Sequence, residues 1–169
     1  MTIIPRNQIK GVCMRYFLML AVMFSFSFAK YDVIYNNVKL GEIKDMETIK
    51  NDYIEIKLTS KLVKFFSSKE KYVLHNDNFE GKQTNQKDIK YKKDKYQVLN
   101  IVKLSKEQNV KYKKFDISKD KYIELWHDKK YHFKYTSKKT VKSEGYLTVK
   151  DHTLLSLIDT KNNIQIILN

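Results

Sequence analysis

From residue 30 onward the apolar side chains recur at every second position. That spacing puts them all on one face of a β-strand and scatters them around a helix. Tyr31, Val33 and Tyr35 alternate with Asp32, Ile34 and Asn36. Ile54, Ile56 and Leu58 alternate with Glu55, Lys57 and Thr59, and Tyr131, Phe133 and Tyr135 with His132, Lys134 and Thr136. Tyr146-Leu147 leads into Thr148-Val149 in the same way. Tyr, Ile, Val, Thr and Phe dominate these runs, and such residues suit a half-buried pleated surface. The breaks carry turn chemistry: Asn36-Asn37 with Gly41, Asn51-Asp52, Asn76-Asp77-Asn78 with Gly81, Ser143-Glu144-Gly145, and Lys161-Asn162-Asn163. Asn and Gly accept the positive φ that tight hairpins demand. The pattern predicts an all-β domain of about ten or eleven strands, a curled antiparallel sheet, half-barrel or sandwich.

One stretch breaks the alternation. Within residues 61–68, Leu62, Val63, Phe65 and Phe66 have near-helical spacing, which predicts a short helical segment. Two roles fit it: a plug that covers one open end of the sheet, or an apolar lip over a cavity that accepts a hydrophobic ligand. A sheet of this length needs some cover for one face, because buried apolar area must offset chain entropy.

Residues 1–29 hold Arg6, Lys10 and Arg15 and no carboxylate, followed by the uncharged run 16–29 that ends in Ser27-Phe28-Ala29. A positive segment, an apolar segment and small residues at the last and third-last positions match a secretory signal peptide cleaved after Ala29. The competing reading is a membrane anchor, but a helix needs about 20 apolar residues to span a bilayer. The leader is also complete when counted from Met14, so a start there is an alternative to Met1. Cys13 precedes the apolar run, which is the wrong place for a lipidation box. The predicted organisation is a signal peptide over 1–29 and a single β domain over 30–169, exported to the periplasm of a Gram-negative cell and without disulfides.

Charge is the next constraint. The chain has 33 Lys and Arg against 19 Asp and Glu, and removing the leader's three cations leaves a formal +11 over 30–169. Both arginines lie in the leader, so every later cation is Lys. Arg supplies the bidentate fork and the stacking plane that base and phosphate recognition favours. No nucleic-acid partner is therefore expected. The Lys, Asn, Ile and Tyr bias is that of an AT-rich coding sequence. Even so, such a charge draws anionic headgroups or acidic glycans at low salt. The phrase Ile89-Lys-Tyr-Lys-Lys93 recurs as Val110-Lys-Tyr-Lys-Lys114, and Lys93-Asp-Lys-Tyr96 as Lys119-Asp-Lys-Tyr122. Their offsets differ, which excludes one structural repeat. Lysine on outer faces and strand edges is the expected use, because the mature part lacks Pro to protect its edges.

Catalytic and metal motifs are missing from the sequence. There is no His-Glu-x-x-His, Cys-x-x-Cys or Asp-rich calcium loop, and glycines at 41, 81 and 145 build no phosphate loop or nucleophile elbow. His127 and His132 are five apart, so on one strand they would face opposite ways. The pair Asp116/Asp120 lies in Lys-rich surroundings, whereas a catalytic pair needs a desolvated cleft. Trp126-His127-Asp128 is the densest trio. A lone Trp is more readily a rim anchor of a β-sheet than a catalytic device. The expectation is a protein that is not an enzyme and takes no cofactor or metal.

Tyr31-Asp-Val-Ile-Tyr35 followed by Val38-Lys-Leu-Gly41-Glu42, then the apolar segment Leu62–Phe66 and a strand over Glu70–Asn76, resembles an uncharacterised family of exported bacterial proteins. Its domains open with a Tyr-x-Val-x-Tyr strand and a Leu-Gly hairpin. The resemblance covers about 31–80 and implies a periplasmic β-sheet domain, similar to the half-barrels of lipoprotein carriers that hold acyl chains in an apolar concavity. It brings no catalytic residue. The leading expectation is a monomeric binder of a lipid or other hydrophobic envelope component, not an integral membrane protein once the leader is removed. Leu62, Val63, Phe65 and Phe66 would form the lip and Trp126 a rim anchor. An accessory protein of an envelope machine, working through protein contacts, is the alternative. An enzyme would need Trp126, His127 and a carboxylate in one pocket.

Overall fold

The computed structural model describes residues 29–81, 86–106 and 111–169. Apart from Ala29, the leader expected over 1–29 lies outside the described residues. The fold is all-β: eleven described strands form one open sheet. They are β1 (Tyr31–Tyr35), β2 (Val38–Ile43), β3 (Tyr53–Leu58), β4 (Lys71–His75), β5 (Ile89–Lys93), β6 (Tyr112–Ser118), β7 (Lys121–His127), β8 (Tyr131–Ser137), β9 (Thr140–Lys150), β10 (Thr153–Asp159) and β11 (Ile164–Leu168). Their spatial order is β5-β4-β3-β2-β1-β11-β10-β9-β8-β7-β6. Two meanders therefore meet at a central seam, where Tyr31 pairs with Leu168, Val33 with Ile166 and Tyr35 with Ile164.

The antiparallel expectation holds for every neighbouring pair except one. Strands β4 and β5 run parallel, with Tyr72 opposite Lys90 and Leu74 opposite Lys92. Parallel neighbours need a long connection, and residues 76–88 make it, with the Phe79 ring packed 5.2 Å from Tyr53 and 5.3 Å from His75.

Three tight hairpins hold both central residues in the left-handed region: Asn36-Asn37, Lys138-Lys139 and Asp151-His152. The first was legible from its asparagines. The second uses lysines, which disfavour this conformation, and the third uses Asp and His, which tolerate it but lack the Gly or Asn of a plain turn signal. Conversely, Ser143-Glu144-Gly145, expected to be a turn, lies inside β9. Gly145 is there for close approach: a Cβ at that position would sit 1.8 Å from the Ile158 carbonyl oxygen of β10.

The two copies of the Lys-Tyr-Lys-Lys phrase have a common fate. The first forms β5 and the second runs into β6, and these are the two edges of the sheet. Lysine-rich edges resist pairing with another chain. Lys113 and Lys114 of β6 also lie over the rings of Phe115 and Tyr122, at 4.5 and 4.3 Å.

Two short helices accompany the sheet, α1 (Lys61–Ser67) and α2 (Val98–Ser105), with a 3-10 turn at Glu47–Asn51. Helix α1 falls where the sequence predicts it. Helix α2 was not predicted, and it is the element around which the core forms. Leu99, Ile101 and Val102 are fully buried in one cluster with Ile54 of β3, Ile123 and Leu125 of β7, Phe133 of β8 and Leu157 of β10. On a flat sheet β3 and β7 would lie seven strand spacings apart, roughly 34 Å. A helix is only about 10 Å across. The sheet is therefore curled, with α2 in its hollow. Full burial of each of those three side chains contributes about 1.5–3 kcal/mol.

The hairpin chemistry yields a test. An L-residue in the left-handed region costs about 1–2 kcal/mol, and Asn-Gly fits such a turn far better than Lys-Lys. Replacing Lys138 by Asn together with Lys139 by Gly should raise the unfolding free energy by about 1–2 kcal/mol. Urea denaturation should show a higher midpoint at unchanged slope. A lower midpoint would mean that the turn is not as described.

Candidate ligand cavity

The site is built outward from the start of α2. An eight-residue helix is marginal in isolation and depends on packing and on caps. Gln97, the residue just before it, has φ 61° and its side chain makes no capping bond. Asp94 takes that role from three residues further back. Its Oδ2 accepts from the Leu99 N–H at 2.8 Å and its Oδ1 from the Tyr96 N–H at 3.2 Å. The Asp94 N–H in turn donates to the His75 carbonyl at the end of β4, 2.8 Å away. Burial pushes the Asp94 carboxyl above the usual carboxylate range, and the backbone donors of Leu99, Val98, Tyr96 and Gln97 pull it back only in part.

The outer side and far end of α2 are pinned as well. Lys103 reaches Asp52 at 2.6 Å, and Asn76 Nδ2 donates to Asn100 Oδ1 at 3.0 Å and to Asp52 Oδ1 at 3.3 Å. Lys106 reaches Glu47 at 3.2 Å, and His152 Nδ1 donates to the Lys106 carbonyl at 3.2 Å. These half-exposed pairs contribute little free energy singly. Their effect is positional: they tie α2 to the 3-10 turn, the start of β3, the end of β4 and the β9–β10 turn, while the helix packs on the β7–β10 side of the hollow, touching β7 and β10.

The other half of the hollow stays open. There a cavity of about 480 Å³ lies between the β1–β4 arm, β11 and the chain entering α2. Its walls are apolar, including Val33, Ile54, Ile56, Leu74, Ile164 and Ile166. Tyr35 and Tyr72 add ring faces, and Lys92, Lys93 and Lys95 stand along one border beside buried Asp94. The Lys92 ammonium lies 4.6 Å from the centre of the Tyr72 ring. This volume and lining are those of a small-molecule site: mostly hydrophobic walls with a few polar groups at one side.

Residues singled out from the sequence are placed as follows. Leu62, Phe65 and Phe66 project from α1 and are 68%, 83% and 78% exposed, and Val63 is half-buried. Helix α1 buries none of its residues, so it is not the plug of the core. Its base adjoins the cavity, because the Leu40 carbonyl accepts from Thr59 and Ser60 and Leu40 is part of the cavity wall. The four α1 side chains are not themselves among its walls. Trp126 stands on the sheet face opposite buried Leu125, stacked 5.3 Å from His132 at 10° between the ring planes. It anchors that outer face, not the rim of the cavity.

The trio at 126–128 does not converge. Trp126 is opposite His132 and His127 opposite Tyr131 in the β7–β8 register, so Trp126 and His127 face opposite sides. His127 and His132 do face opposite ways, but from two strands rather than one. Asp128 accepts from His132 Nε2 at 3.2 Å, while His127 packs 4.5 Å from the Tyr131 ring. Asp116 and Asp120 are both exposed. Among the described residues no group of three or more His, Cys, Asp and Glu is placed to hold a metal. Among them, no helix is long and apolar enough to cross a membrane.

The cavity's own elements were partly legible. The alternation of Ile54 and Ile56 and that of Val33 and Tyr35 in β1 place these side chains on one strand face each, the face that lines the cavity. Asp94, Lys92 and Lys95 were missed, because the Lys-rich phrase disguised a carboxylate that is buried. An unfolded Asp titrates near 4. Because the folded Asp94 titrates higher, its contribution to stability falls as pH rises from about 4 through the folded value and then levels off. Asp94→Asn removes that group's titration. Urea midpoints at pH 4.5 and 7 should show the variant gaining on the wild type as pH rises. An offset independent of pH would contradict the burial of this carboxylate.

No family model matches the chain, and comparison with curated proteins and with solved structures returned no significant match.

Proposed function

We propose that the protein binds the acyl chain of an anionic amphiphile, a fatty acid or phospholipid of the cell envelope, in the open half of its curled sheet. One observation carries this: a preformed apolar cavity of about 480 Å³ bordered on one side by Lys92, Lys93 and Lys95. Apolar walls would take the chain by removing its surface from water. Lys92 and Lys95 would meet a carboxylate or phosphate where the chain emerges, Lys93 being paired with Asp77. Tyr72, already under the Lys92 ammonium, gives that border a fixed edge.

Export to the periplasm belongs to the same proposal. It rests on the cationic-then-apolar segment 1–29 and on the lack of Cys after Cys13. So does the likeness to acyl-chain-holding half-barrels, which the open curled sheet supports at the level of architecture. The reading is of a binder without a catalytic step. The exposed tip of α1 favours a second reading, an accessory protein that works through contacts with a protein of the envelope. In-cell crosslinking with one dominant protein neighbour would speak for it.

Native mass spectrometry of the protein purified from its own cells tests the proposal. Wild type should carry an acyl lipid or fatty acid. Ile56→Trp places a large ring in the cavity from a half-buried position. It should weaken binding about tenfold, about 1.4 kcal/mol, and so lower the bound fraction, with circular dichroism unchanged. A wild type without ligand, or a folded Ile56→Trp that is loaded as fully, would overturn it.

A further inference from the structure

The feature that the cavity leaves unexplained is α1. This seven-residue helix buries none of its side chains, although three of them are large and apolar. Packing within the protein therefore does not account for it. Its conformation is set locally, by the Ser60 hydroxyl accepting from the Val63 N–H at 3.4 Å and by the backbone bonds of Thr59 and Ser60 to Leu40. Phe65 and Phe66 stand edge to face, 5.5 Å apart, out in solvent.

The charges of α1 itself have one sign, although Glu42 faces Lys57 across the β2–β3 pair and Glu70 follows the helix. Helix α1 contains Lys61 and Lys64 and no acidic residue, and Lys57 is exposed on the strand that leads into it. No ion pair joins Lys57, Lys61 or Lys64 to a described residue. Exposed Phe and Leu beside unpaired Lys is the composition of an element that lies in a membrane interface. Anionic headgroups attract such lysines while the rings enter the acyl boundary. Protein–protein interfaces instead deplete Lys at their centres. A second copy of a chain carrying excess positive charge would bring like charges together.

We propose that α1 is a membrane-docking tip: Leu62, Phe65 and Phe66 insert into the headgroup–acyl boundary of an anionic bilayer, and Lys61 and Lys64 bind its phosphates. This goes beyond the cavity reading and stands whether or not the cavity is filled. With α1 based on the wall of the cavity through Leu40, docking sets that mouth near the bilayer surface.

Vesicle flotation with the full chain tests it, using phosphatidylglycerol–phosphatidylethanolamine vesicles against pure phosphatidylcholine. The exposed Phe65→Ser/Phe66→Ser double variant should fold as wild type does and bind the anionic vesicles about tenfold more weakly or worse. Ile56→Trp should bind them as wild type does, which separates failure of the cavity reading from failure of this one. A Phe66→Trp variant reports on α1 itself, whatever else in the chain touches lipid. Lipids brominated in their acyl chains should quench its added fluorescence. The inference falls if that fluorescence is unquenched, or if the double Ser variant floats equally well. It also falls if wild type fails to float on the anionic vesicles; a self-association in sedimentation velocity that the double Ser variant abolishes would then assign α1 to a second copy of the chain.

Discussion

The docking of α2 into the hollow of the sheet is the contact on which the rest depends. A single open sheet has two faces and no second sheet to cover either, so it must curl around something to make a core. Leu99, Ile101 and Val102 supply that something, fully buried between strands that a flat sheet would hold far apart. Because α2 is only eight residues long, it fills one half of the hollow and leaves the other half open. Core and cavity are thus two consequences of one short helix placed off-centre.

Its placement explains a polar group that would otherwise be a liability. A buried carboxylate is costly unless it is hydrogen-bonded. Asp94 meets that condition at the helix start, where unpaired N–H groups gather, and its own N–H ties the same point to the end of β4. Asp52, Lys103, Asn76 and Asn100 hold the outer side. The cavity wall and the helix cap therefore share one residue, and the shape of the site is coupled to the stability of the helix.

Most strands were legible in the sequence because alternation is a direct image of a half-buried pleat, as in Tyr131-Phe133-Tyr135. Helix α1 was legible from its helical spacing, but its exposure was not, since spacing reports conformation and says nothing of what lies opposite. Helix α2 escaped because Val98, Leu99, Ile101 and Val102 are dense in β-branched residues and no capping side chain directly precedes them. The usable signals were Asn100 and Lys103, three apart on a polar side, and Asp94 just upstream. The turn at Lys138-Lys139 escaped because pairing of its strands imposes a left-handed conformation that lysine does not favour, and Asp151-His152 because it tolerates that conformation without the Gly or Asn that marks a turn. Lysine had two meanings that composition alone could not separate, edge protection on β5 and β6 and a cationic border at the cavity.

The central claim is that the open half of the hollow receives an acyl chain while the half under α2 stays closed. Methyl-resolved NMR during titration with a long-chain fatty acid measures this residue by residue. The account predicts shifts at the methyl groups of Ile54, Ile56, Leu74, Ile164 and Ile166, with Ile123, Leu125 and Leu147 unmoved. Shifts absent from the first set, or spread equally over both, would contradict it.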